Sequence, residues 1–318
     1  MSGGGDDSRR GESPQAFAPL VEGETVAPPL LEGQTAAREV RIFAGPDELA
    51  EAAADLVLEA AHEAIAARGA FRIALAGGST PRRLYQKLAA RAEPAKTVSG
   101  AISPASPNSE TGEGAVFGID AGADVREIGA TPTIARFDAW HVFFGDERFV
   151  PADHPDSNYR MAREALLDHV EIPPAQVHRI EADTGFPDEV AARYASTIAR
   201  EFDLGPGALP RFDLVLLGMG ADGHTASLFP GTTALDAAPD ETVVPTWVEK
   251  LSTWRVTLTF ATINAARDVV FLLSGAEKRE AAGSVLRGAG TLPAVKVRPV
   301  DGSVVFLVDR DALPPSMA

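Results

Sequence analysis

Short apolar segments that stop at glycine recur along this chain, and they constrain its fold class more than any other feature. Phe71–Leu75 runs into Gly77 and Gly78, and residues 141–144 run into Gly145. Leu214–Leu217 stops at Gly218, and residues 269–273 stop at Ser274 and Gly275. Residues 40–43, 256–260 and 304–308 read as further strands. Stretches with helical spacing lie between them, one opened by Pro46 and others over 80–90, 157–169, 188–202 and 277–286. In the first of these, Asp47 and Glu48 fall where acids suit the helix dipole. Leu49, Ala53, Leu56 and Ala60 then form an apolar stripe. Strands buried on both faces read as continuous apolar runs, and alternation with helices requires crossover connections. The expected fold is α/β, a largely parallel sheet flanked by helices on both faces. In such a sheet, chemistry gathers in the loops after the strands' carboxyl ends.

Two segments break the alternation. Residues 1–37 and 92–135 are rich in small and polar residues and show no period, and each carries six acids and two bases. Together they hold half of the net charge of −16. The expected organisation is a flexible acidic tail over 1–37 and a single catalytic domain over 38–318, with a disordered insertion at 92–135. An acidic surface repels nucleic acid and anionic membranes, so neither is an expected partner. No apolar run is long enough to span a bilayer, and the first residues lack the basic-then-apolar order of a signal peptide. The absence of cysteine removes disulfides, thiolate metal sites and cysteine nucleophiles, and fits a cytoplasmic location.

Four strand ends carry candidate chemistry. In Gly77-Gly78-Ser79-Thr80-Pro81, Thr80 reads as an N-cap with Pro81 at the first helical position. Free N–H groups at a helix start suit an anion, and the same pattern also fits an ordinary capped turn. In Asp146-Glu147-Arg148, Arg148 offers a planar fork for phosphate and Asp146 a carboxylate for a sugar hydroxyl. An isolated triplet of this kind also fits a plain surface cluster. Ser157 reads as the N-cap of the following helix. In Gly218-Met219-Gly220-Ala221-Asp222-Gly223-His224, a buried strand delivers Asp222 and His224 among glycines. A neutral imidazole in that place takes a proton from water near pH 7. The other histidines have weaker contexts: His62 and His169 in helices, His141 at a strand start, His178 in a loop and His154 near the second motif. Lys278 falls at a helix start, where a cation is unfavourable unless an anion sits close.

Taken together, these stretches resemble the glucosamine-6-phosphate isomerase/6-phosphogluconolactonase family. The resemblance is carried by LAGGSTPRRLYQKL (75–88), VFFGDERFVPADHPDSNYRMAREALL (142–167), FDLVLLGMGADGHTASLFPG (212–231) and VVFLLSGAEKREA (269–281). It implies a Rossmann-like fold similar to the glucosamine-6-phosphate deaminase/ribose-5-phosphate isomerase fold. The deaminase branch typically has a glutamate five residues after the histidine and a tyrosine after Asp-Glu. Here Phe229 and Arg148 stand in those places, and both departures point to the lactonase branch.

The resemblance further implies hydrolysis of 6-phospho-D-glucono-1,5-lactone, a phosphosugar lactone, in the oxidative pentose phosphate pathway. His224 would serve as general base with Asp222 and Asp146 as catalytic partners. Gly77, Gly78, Ser79, Thr80, Arg148 and Lys278 would hold the phosphate. No cofactor and no metal are expected, since the ester-like carbonyl is already electrophilic. The expected state is a monomer or small homo-oligomer.

Overall fold

The protein, a computed structural model, is described over residues 23, 25–26, 37–92, 135–315 and 317. The proposed insertion, apart from its two end residues, and most of the proposed tail lie outside the described residues. Within that tail, strand β1 (Thr25–Val26) pairs antiparallel with β2 (Ala37–Phe43). Helix α1 (Pro46–Arg68) and strand β3 (Phe71–Leu75) follow, then helix α2 (Ser79–Ala92), strand β4 (Trp140–Phe144) and the short strand β5 (Asp146–Arg148). Helices α3 (Asn158–Ala165) and α4 (Pro187–Glu201) precede strand β6 (Leu214–Leu217). The chain ends with β7 (Val243–Val248), β8 (Thr253–Leu258), α5 (Phe260–Asn264), β9 (Asp268–Leu273), α6 (Arg279–Arg287) and β10 (Ser303–Asp309).

The main sheet has the order β1-β2-β10-β9-β6-β3-β4, and every pair except β1 with β2 is parallel. The α/β expectation holds. All four residues of β6 are buried, as are five of the six in β9. Each fully buried Leu, Val or Phe side chain contributes about 1.5–3 kcal/mol. Phe271 and Phe306 stack across neighbouring strands with ring centroids 5.0 Å apart.

A second sheet, β5-β8-β7, is antiparallel. Sequence patterning takes 256–260 for a further strand of the main sheet. Instead β8 covers Thr253–Leu258 in the small sheet, and Phe260 opens α5 after Thr259, whose hydroxyl accepts from the Thr262 N–H. The helix expected over 157–169 stops at Ala165, and a 3₁₀ turn covers Leu167–His169. Helix α2 starts at Ser79, so Thr80 is not its N-cap: the Gly78 carbonyl accepts from the Arg82 N–H at 3.1 Å, and Thr80 lies buried in the first turn. Gly78 has φ 109°, a conformation that costs a residue with a Cβ and costs glycine nothing, which explains why the glycine precedes the helix.

Two buried tyrosines secure the strand ends. The Tyr85 hydroxyl accepts from the Ala76 N–H at 2.9 Å and donates to the Ala76 carbonyl at 2.8 Å, just beyond β3. The Tyr194 hydroxyl accepts from the Phe144 N–H at 2.8 Å and donates to the Phe144 carbonyl at 3.1 Å, at the end of β4. Both satisfy backbone groups where sheet pairing runs out. Replacing Tyr85 by Phe strands two buried groups and should lower the unfolding free energy by about 1–3 kcal/mol. Urea denaturation reads this directly, and an unchanged midpoint would show that Ala76 has other partners.

Candidate active site

β9, β6, β3 and β4 are adjacent and parallel, so the loops after their carboxyl ends emerge on one side of the sheet. There they line a cavity of about 460 Å³, with Gly78, Arg148, His224 and Lys278 among its walls. All nine residues expected in the site border it except Asp222, which is tied to His224 in its wall. A larger groove of about 840 Å³ runs beside α3 and α4, lined by Arg163, His178 and Arg193 among others. None of the glycine-rich loops reaches it, so the smaller cavity is the candidate site.

His224 is oriented from three directions. Its Nδ1 lies 2.5 Å from Asp222 Oδ1, and its ring stacks on Phe229 with centroids 3.8 Å apart at 21°. A Cβ at Gly220 would collide with the ring, so glycine there makes its room. The Asp222 carboxylate also pairs with Lys250, whose ammonium lies 4.7 Å from the Phe229 ring centroid. Burial would push the Asp222 carboxyl up, but the hydrogen bonds from Lys250 and His224 outweigh it and hold it at about 2. Burial lowers the His224 imidazole below its ordinary value, against the upward pull of Asp222. The imidazole is therefore neutral near pH 7, with Nδ1–H donated to Asp222 and Nε2 left to accept a proton.

Asp146 is buried. Its Oδ2 accepts from the Ser227 hydroxyl at 2.6 Å and its Oδ1 from Asn158 Nδ2 at 3.1 Å. It thus joins the β4, β6 and α3 segments. Asn158 in turn sits where a Gly77 side chain would be. Glu147 is a helix anchor: its carboxylate accepts from the Ser157 hydroxyl and from the N–H groups of Arg148, Asn158 and Tyr159 at 2.7–3.0 Å. Ser157 caps α3 as expected, accepting from the Arg160 N–H at 3.1 Å.

The cations carry the clearest signal. Arg148 and Arg255 are direct cross-strand partners of β5 and β8, a like-charge pairing that destabilises a sheet. The Nε of each is buried without a hydrogen-bond partner. Lys278 is half-buried at the start of α6, its ammonium pushed below its ordinary value chiefly by burial, and it makes no ion pair among the described residues. Arg255 and Lys250 escape sequence reasoning because they come from the small sheet and its hairpin. The signal available in the sequence is an arginine two residues from Thr253 and Thr257 in a strand otherwise suited to burial.

The profile of the glucosamine-6-phosphate isomerases/6-phosphogluconolactonase family matches residues 44–102 and 123–306. The chain belongs to this family. Its curated relatives include a 6-phosphogluconolactonase of Synechocystis sp., 37% identical over 87% of this chain and 97% of the relative. Another, from Rattus norvegicus, is 34% identical over 86% and 91%. A solved 6-phosphogluconolactonase of Trypanosoma brucei is 31% identical, with a TM-score of 0.63 over 86% of this chain and 96% of that one. A solved glucosamine-6-phosphate deaminase, 18% identical with a TM-score of 0.63 over 88% and 99%, shares the fold. Within the family the chain is a lactonase-type enzyme. Among the described residues, no helix is long and apolar enough to cross a membrane.

Gly220→Ala tests the geometry without removing any polar group. It should displace the His224 ring and lower kcat by about 10²-fold or more, the lower end of general-base contributions. An intact kcat would show that the ring position does not matter.

Proposed function

We propose that the chain hydrolyses 6-phospho-D-glucono-1,5-lactone to 6-phospho-D-gluconate in the oxidative pentose phosphate pathway, with His224 as general base. The observation that carries this reading is a neutral imidazole, held by Asp222 and Phe229, on the wall of a cavity that Arg148, Arg255 and Lys278 also line. The phosphate binds at the start of α2, where Gly77, Gly78, Ser79 and Thr80 present N–H groups and hydroxyls, and is clamped by Arg148, Arg255 and Lys278. A phosphate there relieves the repulsion between the two arginines. It also fixes the far end of the sugar, which converts attack on C1 into a step between groups already in place.

His224 Nε2 takes a proton from water as the water oxygen bonds to C1. The carbonyl oxygen becomes an oxyanion. When the intermediate collapses, the bond from C1 to the ring oxygen breaks and His224 returns the proton to that oxygen. Asp222 holds the ring and stabilises its charged form. Asp146 acts as a positioning residue, because both its oxygens are committed to Asn158 and Ser227. Phe229 gives no second carboxylate to the imidazole, which speaks against the deaminase reaction.

His224→Ala should lower turnover of fresh lactone by about 10²–10⁴-fold with phosphosugar binding kept. Near-normal turnover would remove the base assignment. Arg148→Ala and Lys278→Ala should mainly raise KM, and an unchanged KM in both would remove the clamp. Assay with glucosamine-6-phosphate should release no ammonia.

The pH dependence follows from the shifts. His224 has its pKa lowered in the folded protein, so the base is available above that value and is lost by protonation as the pH falls through it. The acid limb of kcat/KM should therefore lie below about 6.5, the unperturbed value. Asp222 pulls the pKa up and Lys250 pushes it down, so Asp222→Asn should move the limb to lower pH and Lys250→Met to higher pH. Shifts in the same direction would contradict this electrostatic account.

A further inference from the structure

His141, His178 and Glu201 meet at the outer edge of the main sheet, away from the loops that line the cavity. They are far apart in sequence: His141 lies on the edge strand β4, His178 follows a 3₁₀ turn, and Glu201 ends α4. Their ligand atoms all lie within 4.8 Å of one another. Glu201 Oε2 is 3.7 Å from His178 Nε2 and 3.9 Å from His141 Nδ1. Both distances exceed a hydrogen bond, and both ring nitrogens are buried with no hydrogen-bond partner. Two buried, unpartnered imidazole nitrogens aimed at one carboxylate oxygen need an account.

We propose that His141, His178 and Glu201 bind a divalent transition-metal ion of the zinc class. Two imidazoles and a carboxylate are a preferred donor set for such an ion. In a tetrahedral site with bonds near 2.0–2.1 Å, neighbouring ligand atoms stand about 3.3 Å apart, so the three donors need only small movements. The surroundings hold them in place. The His178 N–H donates to the Val142 carbonyl at 2.8 Å, and the His178 ring stacks on Phe143 at 4.5 Å and on His141 at 5.8 Å. Glu201 Oε1 accepts from Arg200 Nε at 3.1 Å, which leaves Oε2 for the ion. Arg72 and Arg200 are the nearby cations that oppose the ion's charge. The groove that His178 and Arg200 line gives an entry path. The ion would tie β4, the segment before α4 and the end of α4 together, a structural role separate from hydrolysis.

The test uses untagged full-length protein titrated with Zn²⁺ against a chromogenic chelator, with thermal melts alongside. One equivalent should bind and raise the melting temperature. His141→Gln and Glu201→Gln, each shown by circular dichroism to be folded, should weaken binding by at least about tenfold and remove the thermal shift. His224→Ala should bind as the wild type does. Failure of the wild type to bind, equal binding by the His141 and Glu201 variants, or loss in His224→Ala would each overturn the site.

Discussion

The parallel alignment of β9, β6, β3 and β4 is the constraint from which the rest of the site follows. Parallel neighbours end on the same side, so four separate loops converge without any long-range search. The same alignment creates a cost, because pairing stops where the loops begin and backbone groups are left over. Tyr85 and Tyr194 meet that cost at Ala76 and Phe144. Asp146 then braces the loops against each other through Asn158 and Ser227. The loops are thus braced by hydrogen bonds that involve no substrate.

Charge is distributed against the molecule's average. A chain of net charge −16 brings Arg148, Arg255, Lys250 and Lys278 to one cavity. Three of these placements are locally unfavourable: two arginines face each other across a strand pair, and a lysine sits at a helix start. Local rules broken together at one place are a mark of function, since each violation lowers stability unless a ligand relieves it. On the proposed reading, a phosphate dianion would relieve all three. Lys250 differs, because Asp222 already neutralises it and Phe229 lies under it.

Much of this was legible in the chain itself. The main-sheet strands other than β1, the glycines that follow β3, β4, β6 and β9, His224 with Asp222, and Ser157 as a cap all follow from local pattern; β1 lies in the segment read as an unstructured tail. The small sheet did not. Residues 253–258 alternate like any strand, and nothing local says that they pair with Val243–Val248 and Asp146–Arg148 rather than join the main sheet. Arg255 and Lys250 were missed for that reason. Thr80 misled because Ser-Thr-Pro matches a capping signature, while Gly78 in its left-handed conformation lets the helix begin at Ser79, two residues before Pro81. The grouping of His141, His178 and Glu201 has no spacing rule at all, since topology alone brings the three together.

Phe229 connects the fold to the choice of reaction. In the deaminase branch, by resemblance, a glutamate in its place supports the histidine in opening a sugar ring. An aromatic ring 3.8 Å from the imidazole does the opposite. It shields one face of His224 from water, and burial lowers the imidazole's affinity for a proton. It also leaves Asp222 as the imidazole's one hydrogen-bonded carboxylate among the described residues, so Nδ1 is engaged and Nε2 is not. Hydrolysis of a lactone needs no more than this: one proton taken from water and returned to the ring oxygen that leaves. Ring opening coupled to amine release needs a second proton-carrying group beside the histidine, and Phe229 fills the position from which it would act.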